Sequence, residues 1–170
     1  AGGSHAGGGV EKAEELGLTL DGVVSLASLI EKEARSADFA KVSAVFHNRL
    51  KKGDILGADA SVQYIYQYTM QQDQTHVLEL TAEQLQNPSR YNTRLYPGLP
   101  LGPIANPGKA AIEAALYPDE EYMEQGYYYF VLKSADSSEL VFAVTAEEHE
   151  KNKEAYRKSL EQQPQQSPQP

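Results

Sequence analysis

The sequence predicts an α+β fold, with several short helices packed against a small antiparallel β-hairpin. Two consecutive segments, residues 21–35 and 38–52, carry apolar residues at helical spacing. Farther on, YYYFVL (residues 127–132) and ELVFAV (residues 139–144) flank the polar stretch KSADSS, which is the pattern of a hairpin. A capping box of Thr145 with Glu148 then opens a helix carrying His149 and Tyr156. Helices, then a hairpin, then a helix is the order of an α+β chain rather than of a doubly wound sheet.

Each element has a local reason. Residues 1–9, AGGSHAGGG, contain five glycines and read as a cloning scar or flexible linker, neither signal peptide nor helix. The folded unit is therefore expected over residues 10–160. In the first helix Val23, Val24, Leu26, Ala27, Leu29, Ile30 and Ala34 form the apolar stripe, with Asp21 as N-cap. The second places Phe39, Val42, Val45, Phe46 and Leu50 on one side and stops at Gly53. Residues 61–68 read as a short helix with an aromatic face, although their Val, Ile and Tyr content also suits a strand. Thr81 and Gln84 make a capping box for a short helix ending before Pro88.

Residues 91–108, YNTRLYPGLPLGPIANPG, hold four prolines and three glycines, which forbid regular structure and favour a stiff, defined path. A loop this long inside a compact domain is usually functional. Asn106 as N-cap and Pro107 at the first helical position start a helix through Leu116. Residues 161–170, EQQPQQSPQP, are Gln/Pro-rich and read as a disordered tail.

Composition narrows the function. The 170 residues include 41% hydrophobic ones, enough for a core. The formal charge of −9 argues against nucleic acid, whose binders carry a basic patch. With no cysteine there is neither a disulfide nor a thiolate site. No run of about 18 apolar residues is present to span a membrane. The chain has no G-x-G-x-x-G, P-loop or G-x-S-x-G pattern, and His5, His47, His76 and His149 share no metal-ligand spacing.

The candidate acids are Glu31 and Glu33, in LIEKEA near the end of the first helix. Both sit about 80° from the centre of the apolar stripe, on opposite borders, so the helical wheel does not choose between them. Glu33 has the bulkier neighbours, Leu26, Leu29 and Ile30, and desolvation there raises a carboxyl's pKa and retains a transferable proton. Both acids equally fit the boundary of a solvated face. Asn48 and Arg49 read as surface groups near the end of the second helix, and Asp59 and Ser61 as a loop and helix cap. Tyr64, Tyr66, Tyr68 and Tyr91 suit either a partial core or flat contacts for a sugar-like ligand.

Three blocks together are more specific than any one motif: LASLIEKEA…VSAVFHNRLKKGDILGADASVQY, PSRYNT…GLPLGPIANPGKAAIEAALYP and YYYFV…FAVTAEEHEKN. Over about residues 23–157 they resemble the catalytic domain of the YceG-like family, the endolytic murein transglycosylases. The resemblance implies cleavage within peptidoglycan glycan strands, between N-acetylmuramic acid and N-acetylglucosamine, leaving 1,6-anhydro ends. It puts the catalytic acid, the second Glu of an E-K-E motif, at Glu33 on its helix. It assigns Asn48, Arg49, Asp59, Ser61, Tyr64, Tyr91, Asn92, Thr93, Asn106 and His149 to cleft walls, substrate hydrogen bonds or support of Glu33.

No metal or organic cofactor is implied. The implied partners are glycan strands and, through the family, cell-wall synthesis enzymes. Full family members carry a membrane anchor and a LysM-like region before the catalytic part, which implies a tethered, extracytoplasmic protein. Two departures concern the cleft: Gly57 stands where Gln is common, and Leu101 where a second proline is common. A non-catalytic wall-binding module and a water-using muramidase with Asp59 or another carboxylate as partner are the competing readings.

Overall fold

The computed structural model describes residues 5–69 and 79–163. Among them are seven α-helices and one two-stranded antiparallel sheet, an α+β architecture as the sequence predicts. His76 and residues 164–170 of the expected tail lie outside the described residues.

The first helix corrects an expectation. α1 spans His5–Glu15 and so includes part of the glycine-rich start read as non-helical. Its hold is tertiary: Ala13 is buried in the core, and α1 packs against α2 and α5. The seat of Ala13 in the core, with Gly9 close against Leu116 of the helix Lys109–Leu116, offsets the helix-breaking tendency of glycine.

α2 (Leu20–Glu33) and α3 (Phe39–Lys51) follow the predicted periodicity. The N-cap of α2 is Thr19, not Asp21: its hydroxyl accepts the Gly22 N–H at 3.0 Å. A 3-10 turn, Ser36–Asp38, leads into α3, and Gly53 follows it at φ +68°, a left-handed stop open to glycine. α2 buries Leu26, Ala27, Leu29 and Ile30, and α3 buries Val42 and Phe46. α5 (Lys109–Leu116) meets α2 with Ala111, Ala114 and Ala115, small side chains that let two helices approach closely. Each large side chain fully buried here contributes about 1.5–3 kcal/mol. Phe46 is the largest of them, and truncation to alanine costs about 3–5 kcal/mol.

The start of α5 differs from the sequence expectation. Its N-cap is Gly108 rather than Asn106, which is exposed, and Gly108 supplies no side-chain cap. Instead Glu31 of α2 accepts the Gly108 N–H at 2.9 Å. A carboxylate from another helix takes over the capping role.

α4 (Asp59–Tyr64) begins two residues earlier than expected and continues as a single π-helical turn, Ile65–Thr69. The Thr81–Gln84 box forms reciprocally, at 2.9 and 3.1 Å, but heads only a 3-10 turn, Gln84–Gln86. α6 (Glu120–Gln125) was not assigned from sequence. Asp119 caps it, and Gly126 at φ +76° ends it.

β1 (Tyr129–Leu132) pairs with β2 (Leu140–Ala143), Tyr129 opposite Ala143 and Leu132 opposite Leu140. An isolated hairpin is marginal in water. Here Phe130 packs edge-on to Phe46 of α3, with ring centres 5.9 Å apart, while α7 (Ala146–Glu161) packs against both strands. Thr145 caps α7 by accepting the Glu148 N–H at 3.2 Å. Residues 91–108 form no regular element, but the loop is fastened: Ile104 N–H donates to Ser28 Oγ at 3.0 Å, and Ile55 bridges Pro97.

Candidate active site

The last turn of α2, the segment 55–59, β1 and the first turns of α7 enclose a cavity of about 500 Å3. Glu33 lines it, together with Arg49, Asp59, Arg94, Tyr129 and His149. Glu31, which the helical wheel ranked equally, is occupied with the Gly108 N–H. The two acids are separated by their tertiary partners, not by their own helix.

Glu33 is partly buried, and its Oε1 accepts the Ala60 N–H at 3.1 Å. Burial pushes its pKa up from 4.5 to about 7. The Ala60 hydrogen bond opposes that rise, the Asp59 carboxylate adds to it, and Arg94 and Arg49 oppose it. The result is a carboxyl that exchanges a proton near neutral pH, as a general acid and base requires.

Asp59 and Arg94 form an ion pair at 2.9 Å, with side chains 57% and 39% exposed. At that exposure the pair adds little stability. What it does is set charge beside Glu33. Arg94 also donates to the Gly57 carbonyl at 3.3 Å, and its own N–H is held by Asn92 Oδ1 at 2.9 Å.

Arg49 is a brace as well as a wall. Its Nε and Nη2 donate to the Tyr128 carbonyl at 2.9 and 2.7 Å, and Nη1 donates to the Leu56 carbonyl at 2.7 Å. One guanidinium thus ties the hairpin to segment 55–58. The guanidinium also lies over the Tyr129 ring, 5.7 Å from its centre, and the His149 ring stacks on Tyr129 at 4.9 Å, with Nδ1 buried and without a hydrogen-bond partner among the described residues. Burial pushes His149 below the usual imidazole range.

The other expected site residues lie outside the cavity lining. The Asn48 amide donates to the Tyr127 and Tyr122 carbonyls, at 2.9 and 3.3 Å, and locks the chain entering β1. Ser61, Asn92 and Thr93 are buried. Ser61 Oγ donates to the Ala58 carbonyl at 2.8 Å, and Thr93 Oγ1 accepts the Ala58 N–H at 3.0 Å. Asn92 donates to the Leu85 and Asn87 carbonyls at 3.0 and 2.9 Å. These residues hold the segment that carries Asp59 and Arg94.

Tyr64 packs between Tyr91 and Tyr68 with tilted rings, their centres 5.0 and 5.2 Å away. Tyr64 and Tyr68 border a separate cavity of about 200 Å3, which Ala60 also lines. Arg94, Tyr129 and Lys153 line the main cavity without having been singled out from sequence. For Arg94 the signal was its place directly after Asn92 and Thr93. Among the described residues no group of acidic or histidine side chains is arranged to hold a metal.

Three comparisons bear on this site. The model of the YceG-like family matches residues 5–155. The endolytic murein transglycosylase of Bacillus subtilis (strain 168) is 42% identical over 135 residues, which are 79% of this chain and 34% of that protein. A crystal structure of a YceG-like protein from Listeria monocytogenes superposes with a TM-score of 0.69 at 32% identity, over 83% of this chain and 42% of that one. The chain therefore spans about a third of the length of the curated relative it matches.

Proposed function

Because this chain belongs to the YceG-like family, we propose that it is the catalytic unit of an endolytic peptidoglycan lytic transglycosylase. The single observation that carries the reading is Glu33: a carboxyl in a 500 Å3 cavity, its pKa pushed up to about 7. The name of the Bacillus subtilis relative supports the same activity.

In the proposed reaction Glu33 enters protonated and gives its proton to the oxygen linking N-acetylmuramic acid to the next N-acetylglucosamine. The C1–O bond breaks with oxocarbenium character at C1. The Glu33 carboxylate then takes the proton of the muramic C6 hydroxyl, whose oxygen bonds to C1 and closes the 1,6-anhydro ring. Glu33 finishes protonated, so one residue serves both steps. No second carboxylate is needed to activate water, unlike in two-carboxylate glycosidases. The attacking hydroxyl is already part of the substrate, which gives it a high effective molarity. Asp59, engaged with Arg94, acts on the charge around Glu33. Arg49, Tyr129 and His149 form the walls.

Peptidoglycan is then the substrate, and the whole protein works on the outer side of the bacterial membrane, beside the enzymes of wall synthesis. Among the described residues no helix is long and apolar enough to cross a membrane. Mass spectrometry of purified glycan strands after incubation tests the reaction. Internal cuts with products one water lighter than hydrolytic fragments are expected. Reducing ends would make it a muramidase, and intact strands would leave a binding module.

A further inference from the structure

Residues 63–68 read QYIYQY, a glutamine–tyrosine pair repeated four positions on. On a helical path that spacing sets Gln63 beside Gln67 and Tyr64 beside Tyr68, a row of two amides next to a row of two rings. Both rows stay together where α4 passes into its π-helical turn, a winding often found at functional sites. All four side chains line the second cavity, of about 200 Å3. Tyr64 is held from behind by the Tyr91 ring, 5.0 Å away, and Tyr91 itself lies close against Gly102. Tyr68 leans on Tyr64 at 5.2 Å and is 64% exposed, which leaves ring surface open. The Gln67 amide makes no hydrogen bond among the described residues.

This cavity adjoins the one around Glu33. Lys32 and Glu33 are consecutive near the end of α2, and Asp59 and Ala60 are consecutive at the start of α4. The main cavity takes Glu33 and Asp59, and the second takes Lys32 and Ala60. The hydrogen bond from the Ala60 N–H to Glu33 Oε1 is therefore the seam between them. The two linings differ in charge. Three acids and three bases line the main cavity, whereas the second carries one charged group, the exposed Lys32.

We propose that the second cavity binds a sugar unit of the same glycan strand whose scissile bond lies at Glu33, and so makes binding depend on strand length. This rests on the transglycosylase reading and deepens it. A bond cut within a strand has sugar units on both sides, so the strand runs on past Glu33. The lining matches that occupant. A pyranose has a face of C–H groups, which packs on a tyrosine ring, and a rim of hydroxyl and acetamido groups. A glutamine amide both donates and accepts, so Gln63 and Gln67 suit such a rim. Flat apolar surface with a few placed polar groups is the general make-up of a small-ligand site. With a single charged group at its border, the cavity suits a neutral, hydroxyl-rich ligand.

The test is an NMR titration of the 15N-labelled Glu33→Gln chain, which keeps the cavities without the acid. The probe is an octasaccharide of alternating N-acetylglucosamine and N-acetylmuramic acid. The Gln67 side-chain amide and the Tyr68 backbone amide are expected to move together with the Tyr129 amide of the main cavity, all with one Kd. Adding Tyr68→Ala, a change at an exposed position, raises that Kd about five- to tenfold. Tyr68→Phe, which keeps the ring, retains the parent value. Gln67 and Tyr68 resonances that stay in place, whether or not Tyr129 moves, would overturn the proposal. So would two separate Kd values, which mark an independent site, or an unaltered Kd in Tyr68→Ala. The transglycosylase reading stands or falls separately, on whether the parent chain leaves anhydro ends on whole strands.

Discussion

Oε1 of Glu33, at the end of α2, lies 3.1 Å from the amide nitrogen of Ala60, in the first turn of α4. The hydrogen bond fixes the direction of the carboxyl and stabilises its charged form, while burial works more strongly the other way. The balance leaves a carboxyl able to give and regain a proton near neutrality.

Glu33→Gln keeps the shape and an oxygen for the Ala60 N–H while removing the proton. Turnover of glycan strands is expected to fall by about 10^2–10^4-fold, the range for loss of a general acid, with the circular dichroism spectrum unchanged. Cleavage at the parent rate would remove Glu33 from the mechanism.

The pH profile follows from the same group. Because Glu33 must enter protonated, kcat/KM is expected to fall on the alkaline side with a midpoint at about 7. Asp59→Asn removes a charge that raises the Glu33 pKa, so the alkaline limb moves to lower pH. Arg94→Gln removes one that lowers it, so the limb moves to higher pH. Rates across a pH series for the three proteins check both signs.

Stability carries the imprint too. The folded-state pKa of about 7 exceeds the ordinary 4.5. Between these values the folded chain holds a proton that the unfolded chain has lost, so this group's contribution is complete below about 4.5 and fades as pH rises to about 7. Glu33→Gln lacks that slope. At pH 8 it is expected to be more stable than the parent by about 1–3 kcal/mol, read from urea unfolding.

Two substitutions address the brace across the cavity. Arg49→Lys cannot reproduce the three donors to Tyr128 and Leu56, and a cost of about 2–3 kcal/mol is expected. Gly57 sits at φ +66°, and an added Cβ would lie 3.1 Å from Arg49 Nη1. Gly57→Gln is therefore expected to cost about 1–3 kcal/mol here. Unfolding midpoints equal to the parent's would contradict both.

The helices α2 and α3 were legible because their apolar residues repeat at 3.6, and the hairpin because its two strands flank a polar turn. α1 was not, since what holds it is contact with α2 and α5 rather than its own composition. The choice between Glu31 and Glu33 depends on Gly108 and Ala60, one 77 residues away from its acid and the other 27. No helical wheel contains such partners, and it was family resemblance that put the acid at Glu33. Asn48, Ser61, Asn92 and Thr93 illustrate the reverse case. The resemblance grouped them with the site, and their hydrogen bonds go to main-chain atoms that shape it. Arg94 lay within the Pro- and Gly-rich loop 91–108, yet its role depends on Asp59, which becomes its neighbour only on folding.

The fastening of residues 91–108 has a kinetic consequence. Thr93 accepts from Gly57 and Ala58, Ile104 donates to Ser28, and Gly108 donates to Glu31, so the loop is anchored near its start, in its later part and at its end. Its freedom is surrendered when the chain folds. An incoming ligand meets Arg94, the residue of this loop that lines the cavity, on a segment already fixed in place, and loses little further entropy in ordering it. Association should then run at the pace of rigid-body docking, without a slow phase for loop closure.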